Sequence, residues 1–140
     1  MAVTLSKTYY FTLDLGAKLH DLSANTLKLA FCTNANAPTT ASHILTDLTK
    51  VSNTNIGGVD PSLSTVTWTQ STGTATLGAA TCTITSVTGD FTFRHIVIYN
   101  DSATNKNIIG WYDYGSDLTL KGANADQLVI TFPSGILTNA

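Results

Sequence analysis

The chain has 140 residues, enough for one domain around one core and too few for two. Charged residues make up 11% of it, the formal net charge is -2, and Lys7, Lys18, Lys28, Lys50, Lys106, Lys121 and Arg94 are scattered singly, which excludes the clustered basic surface that a nucleic-acid binder needs. The 9 acidic residues are all Asp and there are 25 threonines, a composition that disfavours long helices and favours pleated, half-buried strands.

In chain order, Met1 to Lys7 lacks a charged stretch followed by an apolar one, and no apolar run approaches about 18 residues, so neither a secretory signal nor a membrane span is expected. Thr8 to Leu13 is β-prone and Asp14-Leu15-Gly16 closes it as a turn. Residues 1–13 are therefore expected to form an N-terminal arm or edge strand that orders against a neighbouring subunit, with 14–140 as a single β-sandwich domain. Lys18 to Leu22 reads as one irregular turn. Leu27, Leu29 and Phe31 then fall on one face of a strand over 26–32.

Thr33 to Thr40 is a loop by composition, and Ser42 to Thr49 is expected to be the one short helix, N-capped by Ser42. Asn53 to Ser62, with paired glycines and a proline, forms a second long exposed connection. Alternating strands follow at 65–69, 74–77 and 81–85. Phe91 to Tyr99 is apolar on both faces in its second half, which marks a central strand covered on both sides. Ile108 to Tyr114 pairs with it antiparallel across a polar loop and ends at Gly115-Ser116; Leu118 to Leu120 and Gln127 to Phe132 complete the set. The expected fold is all-β: an antiparallel β-sandwich, jelly-roll-like or Ig-like, with long N-terminal loops and at most one short helix.

Leu15 to Leu22, Leu27-Lys28-Leu29-Ala30 with its Asn/Ala/Pro loop, Phe93 to Ser102, Ile109 to Ser116 and the closing Ser134-Gly135-Ile136-Leu137-Thr138 resemble, in order and spacing across nearly the whole chain, the small virion structural proteins of tailed bacteriophages. The most specific segment is Tyr99-Asn100-Asp101 followed by Ile109-Gly110-Trp111-Tyr112-Asp113-Tyr114-Gly115-Ser116. The loop at Asn55 to Asp60 departs from the family in being shorter. The resemblance implies a virion component assembled in the host cytoplasm: a capsid decoration or cement protein on the major capsid protein shell, or else a tail or fibre component. The threefold sites of such shells imply a homotrimer. Tyr9, Tyr10, Phe11, Ile56 and Asp60, from the arm and the long loop, are the candidate partner contacts.

No nucleophile elbow, zinc-protease helix, P-loop or dinucleotide loop is present, so no enzyme activity, catalytic residue, metal ligand or cofactor is expected. His95, within an apolar strand, is expected to be a hydrogen-bonded core residue, and His20 and His43 to lie on the surface. Asp113 and Asp117 flank a Tyr-Gly-Ser turn; they either accept backbone N–H bonds there, share a weak Ca²⁺ site or, last, act on a glycan. Trp68 and Trp111 are core or interface residues, or alternatively an aromatic surface for sugar rings in a carbohydrate-binding module. Cys32 and Cys82 are two small buried thiols or a disulfide.

Overall fold

The computed structural model describes residues 4–139. Its elements are β1 (Ser6–Lys7), α1 (Phe11–Gly16), β2 (Leu27–Cys32), β3 (Thr67–Ser71), β4 (Thr74–Gly78), β5 (Cys82–Thr85), β6 (Phe91–Asn100), β7 (Ile108–Leu120), β8 (Gln127–Ile130) and β9 (Leu137–Asn139), with 3-10 turns in the connections. All pairings are antiparallel: β1-β7-β6-β2 form one sheet, β3-β4-β9 a second and β5-β8 a third. The all-β, sandwich-like fold read from the sequence is the fold observed.

Period-two alternation on β2 and β6 builds two cores, one on each face of the large sheet. Leu27, Leu29 and Phe31 on β2 and Phe91, Phe93, Ile96 and Ile98 on β6 point into the main core, where they meet Leu77, Ile84 and Leu137 from the smaller sheets and Ile136 just before β9. Phe31, Phe91 and Phe93 pack there at centroid separations of 5.0 to 5.5 Å, within the range in which aromatic pairs attract beyond their buried area. Ala30, Cys32, Val97, Tyr99, Ile108 and Trp111 face the other way and are covered by Leu45 and Leu48. The spine expected at 91–99 is therefore covered on both sides.

β7 departs from its expected form. It does not end at Gly115-Ser116 but runs on to Leu120, absorbing the segment expected as a separate strand. Its register against β6 steps from His95↔Asp113 to Phe93↔Leu118. One β6 residue, Arg94, thus faces the four-residue stretch Tyr114, Gly115, Ser116 and Asp117, which bows out as a large β-bulge. Gly115 takes φ +92 within it, a conformation that a side chain would disfavour. A smaller slip between Ile98 and Tyr99 accommodates Ile109, and this is why Ile109 joins the main core while Ile108 and Trp111 join the second.

The one α-helix lies elsewhere than expected. Residues 11–16, the end of the β-prone stretch and the turn expected after it, form it, because Phe11 and Asp14, three residues apart, are both buried and a helix brings that spacing to one face. Residues 42–49 form no α-helix: a single 3-10 turn covers Leu45–Asp47. Ile44 is drawn into an extended bridge with Asn107, and the Asp47 carboxylate accepts the backbone N–H groups of His43 and Ile44 at 2.9 and 3.0 Å, a local bond that competes with helix.

Candidate partner surface and the cluster beneath it

The N-terminal segment is seated as follows. β1 pairs at the edge of the large sheet, Ser6 with Trp111 and Lys7 with Gly110, and the Gly110 position leaves no room for a Cβ against the Ser6 carbonyl, 2.5 Å away. Thr8 is buried and its amide donates to Ile109 O. The Tyr9 amide donates to Thr40 O at 2.8 Å. Met1, Ala2 and Val3, part of the expected arm, lie outside the described residues.

This seating divides the candidate contacts of the arm. Tyr9, in the turn before α1, is 75% exposed and Leu13, on α1, is 64% exposed. Tyr10 stacks on the His43 ring at 4.0 Å between centroids. Phe11 is wholly buried in the main core, so it is a packing residue and not an exposed contact. Leu13, absent from the expected set, takes its place; the helical spacing from the buried Phe11 and Asp14 is the signal that leaves 13 on the outer side.

The two candidates on the long loop are engaged within the chain. Ile56 is half-buried against the main core. Asp60, its side chain 8% exposed, accepts Lys50 Nζ at 2.6 Å, Asn53 Nδ2 at 2.9 Å and the Tyr99 hydroxyl at 2.9 Å. Burial and that bond hold the Tyr99 hydroxyl well above the ordinary tyrosine range. Val59, between them, is the exposed apolar residue of the loop.

Under α1 lies a buried polar cluster that the sequence reading missed. The Asp14 side chain is 2% exposed. His43 Nε2 stands 3.0 and 3.1 Å from its two oxygens, and Asn107 Nδ2 donates to Oδ2 at 2.9 Å. His20 Nε2 approaches the same Oδ2 only to 3.8 Å and has no hydrogen-bond partner among the described residues. His20 is buried, so the surface placement expected for it is corrected, whereas His43 is one-third exposed at its side chain. The groups come from α1, two loops and the residue just before β7, and no short spacing in the sequence joins them.

His95 is buried as expected, but neither ring nitrogen has a hydrogen-bond partner among the described residues; Asp113 Oδ1 is 3.8 Å from Nδ1. Burial, opposed by Asp113, lowers its affinity for a proton. Asp113 accepts Arg94 Nε at 2.7 Å and Nη2 at 3.1 Å, and the Gly115 amide at 2.8 Å. The Arg94 bond first, then the amide, hold its carboxyl down at about 2. This fits the expected backbone-accepting role at Asp113; Asp117 sits exposed on the bulge.

Trp111 is 9% exposed within the second core and Trp68 is half-buried against the main core, so the pair offers no shared aromatic platform. Cys32 and Cys82 are free thiols, and burial pushes Cys32 up to about 11. Among the described residues no helix is long and apolar enough to cross a membrane. No family model matches the chain, and no curated protein matches it.

Proposed function

We propose that this chain is a non-enzymatic structural protein of a tailed-phage particle, a decoration or cement protein that docks on the major capsid protein shell as a homotrimer and reinforces it. The observation that carries the reading is the outer side of the α1 segment. Leu13 stands in water on a helix whose other side is fixed by Phe11 and Asp14, and Tyr9 stands in water in the turn that leads into it, so an apolar contact is presented at little further ordering cost. The sequence resemblance adds to it, since its most specific residues fall on β6 and β7, the paired spine of the large sheet. A chain with 11% charged residues has few ion pairs to contribute to an interface and must attach through apolar and backbone contacts over a large area.

The test is binding of the purified protein to undecorated shells at about 0.1 M and about 1 M salt, ionic strengths between which surface ion pairs are largely screened. Attachment is expected to survive the change. The exposed-site variants Tyr9→Ser and Leu13→Ser are expected to melt as the parent does and to bind at least about tenfold more weakly, given roughly 1.5 to 3 kcal/mol for each fully buried large side chain. Failure of the parent to bind any shell, or unchanged binding by the double variant, would overturn the reading.

A further inference from the structure

We propose that the Asp14, His20 and His43 cluster is an acid-labile clasp: a proton taken up by His20 breaks the packing that seats α1, and frees the helix and the turn before it, with the exposed Leu13 and Tyr9, from the body of the domain. The proposal stands on the cluster itself and does not require that the partner be a capsid.

The geometry fixes the protonation state of His20. Its Nδ1 faces Asn100 Nδ2 at 3.1 Å. The orientation of the Asn100 amide is set from both ends: Nδ2 donates to Leu19 O at 2.9 Å and to Asn25 Oδ1 at 2.7 Å, while Oδ1 accepts the amides of Ser102 and Ala103 at 3.0 and 3.3 Å. The amide therefore cannot turn its oxygen toward the ring without losing four bonds. The Asn100 amide nitrogen shares its two hydrogens among Leu19 O, Asn25 Oδ1 and the ring and has no lone pair with which to accept, so Nδ1 is the unprotonated nitrogen and the closed state holds the neutral ring with its proton on Nε2, aimed at Asp14. An imidazolium would set one N–H against another at Nδ1.

The charges around the ring act in the same direction. From α1 the one anion is Asp14, and His43, from the loop after Thr40, already holds both of its oxygens. The backbone of His43 is in turn bound by Asp47. Lys18 and Asp21 flank His20 on its own segment in a shallow surface depression shared with Trp68. Lys7 lies over the far face of the arrangement, 5.9 Å from the Phe11 ring centre, and Phe11 itself is 5.9 Å from the His20 ring. β6 contributes only the neutral Asn100, and the neutral Asn107 stands just before β7. Burial, partly offset by Asp14 and reinforced by His43, disfavours the His20 cation in the closed state. The open state then binds the proton more readily, so closure is complete above the ordinary histidine range near 6.5 and is lost as pH falls below it.

Opening is read at the amides of Ala17, Lys18 and Leu19, which donate to Leu13 O, Leu15 O and Asp14 O. Hydrogen exchange, corrected for the intrinsic pH dependence of the chemistry, should show their protection falling by about tenfold per pH unit below about 6.5, while amides of central β6 stay protected. In the same samples, ¹⁵N imidazole spectra should show His20 as the Nε2–H tautomer at pH 7.5 and gaining its second proton as protection falls. His20→Gln should abolish the pH dependence. Equal loss of protection in His20→Gln, or a second proton on His20 with protection unchanged, would overturn the clasp. If the variant does not fold, the concurrence of the two wild-type measurements decides alone.

Discussion

At the scale of single residues, the clearest separation is between side chains that build the cores and side chains that remain available. Trp111 belongs to the first kind: it packs among Ala30, Cys32, Val97, Tyr99 and Ile108 on the face closed by Leu45 and Leu48. Trp111→Ala leaves a cavity there and is expected to cost about 3 to 5 kcal/mol, measured by urea unfolding. A near-neutral result would mean that the ring lies in solvent and would reopen a sugar-binding surface. Asp14 shows the opposite difficulty. It sits between Leu13 and Leu15 in a stretch whose β-branched and aromatic neighbours suggest a strand, and its importance appears only once the chain brings His43 and Asn107 to it. A carboxylate whose partners are 29 and 93 residues away leaves no local pattern to read.

Among the elements, legibility followed the strength of local periodicity. β2 was readable from the alternation of Leu27, Leu29 and Phe31, and β6 from a ten-residue run that is apolar on both faces in its second half, and the Thr72-Gly73 turn, with both residues at positive φ, closes β3 on β4 as a two-residue hairpin. α1 was not readable as a helix, since its six residues cover less than two turns and are held by tertiary contacts. The polar segment Tyr114 to Asp117 looked like the end of a strand, because turn-forming residues mark a bulge and a terminus alike. β1 has two residues and two paired positions, a small contribution to the sheet. Deleting residues 1–7 is therefore expected to leave the domain folded, lowering the melting temperature by only a few degrees, while weakening oligomerisation or particle binding; sedimentation velocity beside a thermal melt measures both. Unchanged assembly would show that the arm serves no partner.

For the whole molecule, the large sheet is the member shared by two cores, and everything else is fastened to one of its faces or edges. Such a sheet is a counting device. Each added or lost residue in a paired strand would send every side chain beyond it to the wrong face, and both cores would fail together. The bow in β7 is where that count is relaxed. Between the pairs His95↔Asp113 and Phe93↔Leu118 the spare residues are exposed and unopposed, and the Arg94 fork on Asp113 fixes the near end. The molecule can thus change length at this point without changing its shape. A flexible peptide of about eight residues grafted between Gly115 and Ser116 should leave the melting temperature within a few degrees of the parent, whereas the same graft between Val97 and Ile98 should prevent folding. If the protein docks on a shell as proposed, with the bow facing outward, it would serve as a carrier of foreign sequence on the particle surface.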